Sequence, residues 1–463
     1  MPAAGLQTRP RTSCARIRAD VRLLQLLAAL APLFALVAVA AGQPVAPRES
    51  LDPAFAQLPF EQWLAGAQQA RIEWGVTVSR PRLSAHQRLR VEVDVRLDGA
   101  ELARRRGEGQ LLILVQIADQ QGRRYQNHIN MDLAKLEAGV AKQDVISTFT
   151  AFVTPGDYRV AAALYDTASH EHCLKQVRLD VPPLRNDPLP GAWLDLPPVE
   201  YLPAADPPDS WYLPALTEHL RLPLKSRSPV DIDLIVNLTP SESASHAAEM
   251  RSLNLSVLVP ALKVISEVNA PGSRLNAELL DLSRQHVVFR QNDVHVLDWA
   301  AMRSVLAPSK AATIDLQSLE RHRQSAAFFV AEVARIIAAG RDQPPASATT
   351  PHRVLIVLSG PLTFGTRVDL DPIAIDPPPD CRVFYIRYHS FQTVPRPGPS
   401  VTGTPRRWTS RRWGDFPGSD PQDLQFDQLE STLRPLAPRL FDVDSPEGFR
   451  KALANLLADI ANQ

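Results

Sequence analysis

The sequence lacks an excess of charge of either sign. It carries 50 basic and 50 acidic residues, so its formal net charge at neutral pH is zero. A chain without a basic surplus has no general electrostatic attraction for nucleic acid or for anionic lipid. We therefore expect neither a nucleic-acid-binding protein nor one that is held on a membrane surface by charge.

Two common enzyme signatures are also missing. No Gly-x-Ser-x-Gly stretch is present to form the nucleophile elbow of a serine hydrolase. No glycine-rich loop of the kind that cradles nucleotide phosphates is present either. These absences argue against the serine hydrolases with this motif and against nucleotide-dependent enzymes.

Cysteine is scarce, with three residues in 463. Cys14 belongs to the N-terminal segment, whereas Cys173 and Cys381 fall in two different predicted domains. A single disulfide between the last two and a pair of free thiols are both compatible with this spacing.

One long apolar run is present, from Leu23 to Ala41, and five arginines precede it. Small residues close the run, which predicts a signal peptide over residues 1–42 with cleavage near residues 40–42. The alternative is an uncleaved membrane anchor, because the run approaches the length needed to span a bilayer. Either interpretation predicts that the rest of the chain is extracytoplasmic, and in the second the N-terminal segment is its one membrane attachment.

Residues 43–70 form a short segment, with a helix predicted at Phe60–Gln69. From residue 71 onward, apolar residues tend to recur at every second position. Leu89–Leu97 alternates apolar and polar residues without a break, which predicts a half-buried strand. Several further strands follow, and together they predict an antiparallel β-sandwich of immunoglobulin-like type over residues 71–183. The other predicted strands are Glu73–Ser79, Leu111–Ala118, Val145–Val153, Tyr158–Tyr165 and Leu174–Val181.

Residues 184–228 are rich in proline, which favours extended chain and predicts a semi-rigid linker. From residue 229 to 463, buried strands alternate with helices. Asp231–Val236 is a near-continuous apolar strand, and a loop and a helical pattern at His246–Val268 follow it. A closing amphipathic helix is predicted at Pro446–Ala461. This alternation predicts a doubly wound α/β domain with a mostly parallel sheet of Rossmann type.

The order of elements in residues 229–463 resembles that of a von Willebrand factor type A (vWA) domain. Residues 436–453 look like the last strand and helix of that family, and Val354–Gly360 looks like its central strand. A signal peptide, a sandwich and a vWA-like domain in one chain also resemble secreted bacterial vWA-related proteins. The resemblance implies an interaction or adhesion protein that binds its partner through the loops at one end of the sheet.

The resemblance also locates a metal-ion-dependent adhesion site, and here that site is degenerate. The family's Asp-x-Ser-x-Ser motif corresponds to Asn237-Leu-Thr239-Pro-Ser241, and its two remaining positions correspond to Thr313 and Ser359. Mg²⁺ is usually held through one or two carboxylates, and these positions offer neutral oxygens alone. We therefore expect no metal or other cofactor, unless one of three aspartates in the loop after Ser359 restores the charge: Asp369, Asp371 or Asp376. Helix capping is the predicted role of Thr239 and Ser241.

Two long predicted loops, 361–380 and 391–422, follow neighbouring strands of the α/β domain. The second contains the sequence Arg-Arg-Trp twice, and arginine and tryptophan are enriched in binding hot spots. We predict that these residues contact a protein partner, although tryptophans that fold back onto the domain remain an alternative. The candidate residues are Arg406, Arg407, Trp408, Arg411, Arg412 and Trp413.

A second candidate site is the sequence His170-Glu-His172-Cys173, which has the composition of a metal cluster. In a strand, however, the two histidines share one face and Cys173 points to the other. Ordinary surface histidines are favoured over a metal site. A metal-dependent extracytoplasmic enzyme centred on His170 and His172 is the alternative to the non-enzymatic binding function.

The degenerate motif yields a test by thermal melting of the 229–463 fragment with Mg²⁺, Mn²⁺ or Ca²⁺. A ligand that binds the native state alone raises the melting temperature by mass action. We expect no shift at millimolar metal. A saturable rise with Mg²⁺ or Mn²⁺ would contradict the expectation and would point to Asp369, Asp371 or Asp376.

Overall fold

The computed structural model describes residues 49–66, 72–202, 218–239, 247–270, 272–306, 316–339, 351–362, 381–389 and 427–462. The predicted signal segment, residues 1–42, lies outside these ranges. Among the described helices, none combines the length and the apolar character that crossing a bilayer requires.

The N-terminal part of the described chain forms two antiparallel sheets. One has the order β1-β3-β6-β9, with β2 also paired to β3, and the other has the order β5-β4-β7-β8. The strands are β1 (Trp74–Val78), β2 (Arg82–Leu83), β3 (Leu89–Leu97), β4 (Gln110–Asp119), β5 (Arg124–Asp132), β6 (Val145–Val153), β7 (Gly156–Asp166), β8 (His172–Val181) and β9 (Val199–Tyr201).

The two sheets share one apolar core. Val91, Val93 and Val95 of β3 are fully buried, and they belong to the same cluster as Ile113 and Val115 of β4. The strict alternation in β3 therefore sets its inward face, as the sequence predicts. Strands β3 and β6 begin and end at the predicted residues.

The strand β5 was not predicted, because its polar residues hide the alternation. Tyr125 is fully buried in the shared core, and Ile129 packs against it. On the opposite face of the strand, Gln126 Nε2 donates to Gln116 Oε1 at 2.6 Å, and the His128 ring lies 2.6 Å from Asp52. The N-terminal helices lie on this outer face of the second sheet. They are α1 (Pro53–Ala56) and α2 (Phe60–Ala65), and α3 (Gly99–Arg104) follows β3.

The described residues of the C-terminal part form a six-stranded mixed sheet and five α-helices. The sheet has the order β14-β13-β11-β15-β16-β17, and every neighbouring pair is parallel except β13 with β14. The strands of this sheet are β11 (Val230–Asn237), β13 (Arg274–Asp281), β14 (His286–Val294), β15 (His352–Ser359), β16 (Cys381–Tyr388) and β17 (Arg439–Val443). Two short strands, β10 (Leu222–Pro223) and β12 (Val268–Asn269), form a separate parallel pair. The helices are α4 (Ala247–Ser266), α5 (Trp299–Leu306), α6 (Leu316–Ala339), α7 (Gln428–Leu433) and α8 (Pro446–Ala461).

Helices cover both faces of the mixed sheet. Leu234 of β11 lies in a cluster with Leu262 of α4 and Leu456 of α8. Ile235, which points to the other face, lies in a cluster with Phe329 of α6 and Leu433 of α7. The prediction of a mostly parallel sheet that is buried on both faces is therefore confirmed. The predicted helix at His246–Val268 ends earlier, at Ser266, because Val268 pairs with Leu222 in a separate two-stranded sheet.

Every residue of β11 is buried, including three polar ones. Near its start, Asp231 accepts hydrogen bonds from Arg274 at 3.1 and 2.6 Å. Asp233 accepts from Arg353 at 2.8 Å and from Asn276 at 2.8 Å. Burial raises the pKa of the Asp233 carboxyl, and its bonds to Arg353 and Asn276 oppose that rise.

The proline-rich segment packs on both parts of the chain. Val199–Tyr201 forms β9 on the edge of the first antiparallel sheet. Ala192 and Leu196 are buried in the same core as the helices α4 and α8. A fragment that begins at residue 229 would leave that core incomplete, so the metal titration is better performed on residues 49–463.

Arg450 of α8 joins the two parts of the molecule. Its side chain is 2% exposed, and it donates to both carboxylate oxygens of Asp187 at 2.6 and 2.8 Å and to Leu189 O at 2.8 Å. The guanidinium also lies 4.5 Å from the ring centroid of Trp193. Trp193 Nε1 in turn donates to Gln87 O, and Gln87 Nε2 donates to Pro446 O.

We expect Arg450→Met to lower the free energy of unfolding by about 3–5 kcal/mol, because the change leaves the Asp187 carboxylate buried without its cation. The matched control is Arg104→Met, since the Arg104 side chain is 70% exposed and contacts Glu101. That change should cost less than about 1 kcal/mol. Urea unfolding at pH 7 measures both changes. Equal losses in the two variants would contradict the buried ion pair as an important contact.

Candidate functional site

The strand order of the mixed sheet marks one position as a candidate site. The direction of strand succession reverses between β11 and β15, which are neighbours at the centre of the sheet. In open α/β sheets, ligands bind at the carboxyl ends of the strands at this point of reversal. Asn237 ends β11 and Ser359 ends β15, so two positions of the degenerate motif lie next to each other at this edge.

Asn237 and Ser359 bond to each other. Asn237 Nδ2 donates to Ser359 Oγ at 2.9 Å, and both side chains are fully buried. Ser359 Oγ donates to Gly360 O at 2.6 Å, and Asn237 Oδ1 accepts from Thr239 N at 3.0 Å. The polar atoms at the centre of this edge are therefore already engaged within the protein.

Thr239 links this edge to the next strand along the sheet. Its hydroxyl accepts a hydrogen bond from Leu282 N at 2.6 Å, directly after β13. The predicted helix-capping role involves residues 240–246 as well, and these lie outside the described residues. Ser241 and Thr313, the other two positions of the degenerate motif, also lie outside them.

A buried tyrosine and a buried aspartate continue the polar network toward β16. Tyr385 OH donates to Asp427 Oδ2 at 2.7 Å, and the Ser359 side chain lies next to the phenol. Asp427 Oδ1 accepts from Leu362 N at 3.2 Å and from Leu429 N at 3.0 Å, so it caps α7. Burial raises the pKa of the Tyr385 phenol. Burial also raises the pKa of Asp427, and the hydrogen bonds to its carboxylate oppose this rise.

A cluster of charged side chains lies at the ends of β16 and β17. Arg387 donates to Asp442 at 2.7 Å and to Glu430 at 2.8 Å, and it lies 3.5 Å from Asp427. The His389 ring lies 2.8 Å from Asp442 Oδ1. Partial burial opposes ionisation of Asp442, but the bonds from Arg387 and His389 outweigh it and lower the pKa of that carboxyl. The cation is thus shared among three carboxylates.

These contacts gather the ends of two chain segments at one edge. Leu362 precedes residues 363–380, and His389 and Asp427 flank residues 390–426. The predicted partner-binding residues Arg406 to Trp413 fall in the second segment, and Asp369, Asp371 and Asp376 fall in the first. Both segments lie outside the described residues, so the contacts of these side chains stay predictions.

Tyr385, Arg387 and Asp427 were not predicted from the sequence. Tyr385 and Arg387 sit in an apolar strand, and Asp427 is distant in sequence, so no local spacing joins them. One signal was available, because a tyrosine inside a buried strand needs a hydrogen-bond partner for its hydroxyl.

The structure separates the residues of the His-Glu-His-Cys sequence. His170 lies in a turn with φ of 61° and contacts Tyr165 OH at 2.8 Å. His172 stacks on Trp63 with ring centroids 4.4 Å apart, and desolvation lowers the pKa of its imidazole. Cys173 points into the apolar core, and burial raises its thiol pKa to about 12. No disulfide joins Cys173 and Cys381 in the structure.

No group of three or more histidine, cysteine, aspartate or glutamate side chains suited to a metal ion occurs in the part of the chain that the structure describes. Such a group is what an enzyme centred on His170 and His172 would need. Stacking of His172 on Trp63 gives that side chain a structural role in holding α2 against β8.

Comparison with known proteins adds little. No protein family matches the chain, and no curated protein matches it. A solved structural-genomics target of the Northeast Structural Genomics Consortium, SoR45, is similar at 16% identity over 26% of this chain and 94% of that chain, with a TM-score of 0.15. A similarity this weak supports no conclusion about fold or function.

The network predicts the effect of removing one hydroxyl. We expect Tyr385→Phe to lower the free energy of unfolding by about 1–3 kcal/mol, because Asp427 Oδ2 loses a buried donor. Urea unfolding provides the measurement, with Tyr165→Phe as the matched control. The Tyr165 hydrogen bond to His170 is exposed, so its loss should change stability by less than about 0.5 kcal/mol.

A double variant tests whether the unpaired carboxylate of Asp427 causes this loss of stability. Combining Tyr385→Phe with Asp427→Asn should recover part of the lost stability, because the amide removes the buried charge and still caps α7. A double variant that is less stable by the full sum of the single changes would show that the two side chains act independently.

Proposed function

We propose that this chain is an extracytoplasmic, non-enzymatic interaction protein with a vWA-like C-terminal domain. In this proposal the domain binds a protein partner through the segments at the carboxyl edge of its sheet, and it does so without a metal ion. The N-terminal pair of antiparallel sheets is then an immunoglobulin-like module that serves as a spacer or as a second contact. The export signal proposed for residues 1–42 supports the compartment.

The observation that carries the proposal is the 2.9 Å hydrogen bond between Asn237 and Ser359 at the point of strand reversal. A sheet with the order β14-β13-β11-β15-β16-β17 has its natural ligand position there. In the vWA resemblance these two residues stand where carboxylates would hold the metal. Here they are neutral, buried and bonded to each other.

The chemistry of these residues does not fit Mg²⁺. A divalent cation loses its hydration when it enters a site, and carboxylate charge usually compensates for that loss. Asn237, Thr239 and Ser359 have no charge, and their side-chain atoms already make hydrogen bonds within the fold. The nearby carboxylate of Asp427 accepts bonds from Tyr385 and two backbone amides. We therefore assign no step of binding to a metal.

The partner contact is proposed to involve residues 406–413. Arginine supplies charge and planar hydrogen bonding, and tryptophan supplies a large apolar surface, so both suit a desolvated protein contact. The segment leaves β16 at His389 and returns at Asp427, next to the Arg387 cluster. That cluster fixes the described residues on either side of the segment at the carboxyl edge of the sheet.

The proposal is tested by site-specific photo-crosslinking in the native host. A photoreactive phenylalanine analogue is introduced at position 408 or 413, and at position 194 as the control, because Leu194 is 70% exposed and lies in the proline-rich segment. We expect positions 408 and 413 to capture the same partner and position 194 to leave it uncaptured. Mass spectrometry of the crosslinked species identifies the partner.

Two further arms define the outcome. Capture from position 408 should fall at least about tenfold when Trp413→Ala is added, as expected for the loss of a hot-spot residue. Capture should be unchanged by EDTA. Equal capture from all three positions would reject the proposed surface, and loss of capture in EDTA would reject metal-independent binding.

A further inference from the structure

The outer face of the second antiparallel sheet has a covered end and an uncovered end. Its strands, β5, β4, β7 and β8, turn their other face to the shared core. On the outer face, the helices α1 and α2 cover Leu114, Ala163 and Leu174. Toward the start of β7 and the end of β8, the outward side chains are charged and exposed. We call this part the charged face, and its four residues are Asp157, Arg159, Arg178 and Asp180.

Like charges lie directly opposite each other on the charged face. Arg159 of β7 is in register with Arg178 of β8, and two residues away Asp157 is in register with Asp180. All four residues are exposed. Like charges in directly opposite positions destabilise a sheet, whereas opposite charges there stabilise it. The face therefore consists of a row of two cations beside a row of two anions, and the neighbours within each row repel each other.

The surrounding side chains do not neutralise the two arginines. No carboxylate among the described residues forms an ion pair with Arg159 or Arg178, and this includes their diagonal neighbours in the other row. On its other side in the sheet, Arg159 lies opposite Ala118, whose side chain has no polar atom. The next basic residue on this face, Arg124 of β5, is bonded to Glu61. Both arginines therefore keep their donors for a group outside the chain.

A second copy of the chain presents the complement of this pattern. The copy is turned by 180° about an axis that lies in the plane of the contact, parallel to the two rows and midway between them. Its anionic row then lies over the cationic row of the first copy, and the reverse is also true, as a two-fold interface requires. The formal net charge of the chain is zero, so no general repulsion opposes the approach of a second copy.

We propose that the charged face is the contact of a homodimer, in which the arginines of each copy bind the aspartates of the other. A guanidinium and a carboxylate form a planar, charge-assisted pair, and the dimer contains four such pairs. A simple anion would satisfy the arginine row but would be repelled by the aspartate row beside it. A second copy satisfies both rows at once, so the charge complementarity selects this occupant. Exposed ion pairs each contribute little, so the dimer is weak and sensitive to salt.

The dimer contact goes beyond the proposed function of the mixed sheet and does not rest on it. It uses residues of β7 and β8 and none from the carboxyl edge of the α/β domain. A protein that stays monomeric would leave the crosslinking at positions 408 and 413 unaffected. Failure of that crosslinking would leave the dimer contact standing.

Sedimentation velocity measures the self-association of the chain that begins at residue 43, over a series of protein concentrations. We expect a reversible equilibrium between monomer and dimer. The dissociation constant should rise about tenfold when sodium chloride is raised from about 50 to about 500 mM, because salt screens interactions between exposed charges.

Charge reversal shows whether the charged face makes the contact. The acidic variant carries Arg159→Glu and Arg178→Glu, and the basic variant carries Asp157→Lys and Asp180→Lys. Each variant alone should dimerise at least about tenfold more weakly than the original protein, because like charges then face each other across the contact. An equimolar mixture of the two variants should associate again, because every cation of one then faces an anion of the other.

The matched control for the acidic variant is Arg80→Glu with Arg227→Glu. It makes the same change in net charge at two exposed residues that lie outside the charged face. This control should dimerise like the original protein. The thermal midpoint of each variant is measured first, and association in the mixture shows in addition that both reversed variants are folded.

Three outcomes would overturn the proposal. An original protein that stays monomeric up to about 1 mM would show that the charged face does not bind a second copy. Equal dimerisation of the original protein and both reversed variants would place the contact elsewhere on the molecule. A mixture that stays monomeric, although the original protein dimerises, would show that the two rows do not face each other.

Discussion

The burial of β11 on both faces is the constraint on which the mixed sheet depends. A buried polar group must find a partner, and β11 contains three such groups. Asp231 and Asp233 are satisfied by arginines from β13 and β15, whereas Asn237 is satisfied by a neutral serine. The two ends of the strand therefore differ, with charged pairs at the start and a closed neutral pair at the end. The candidate site lies at this second end, and it is neutral because Asn237 is paired with a serine.

Local patterns in the sequence were sufficient for many elements. The alternation in Leu89–Leu97 and the helical spacing in Pro446–Ala461 define elements with the predicted boundaries. The strand Arg124–Asp132 was missed because its outward face is also covered, by the helices α1 and α2, so its polar residues follow tertiary contacts. The bond between Tyr385 and Asp427 could not be predicted for a related reason. It joins residues that are far apart in sequence, and the fold alone brings them together.

The contact between Arg450 and Asp187 gives the segment after β8 a role that its proline content alone does not indicate. Prolines favour an extended chain, but here the extended chain is fixed by specific bonds to α8 and by two apolar residues in the α/β core. The antiparallel sheets and the mixed sheet are therefore joined by specific hydrogen bonds and apolar contacts as well as by the chain itself. A partner bound to either part acts on a molecule in which the two parts are held at defined positions near Arg450 and Trp193.

The segment that joins the two parts is anchored on both sides of residues 203–217. Before this stretch, β9 is hydrogen-bonded to β6, and after it Leu220 and Leu222 are buried in the core of the α/β domain. Asp187, which is bonded to Arg450, and the buried Ala192 and Leu196 already tie the chain before residue 203 to the α/β domain. The continuity of the chain through residues 203–217 is therefore not what keeps the halves together. A protein cut by a protease within residues 203–217 would remain one particle under native conditions, and its two fragments would separate on denaturation. The same site is a natural place to divide the gene for reconstitution from two polypeptides.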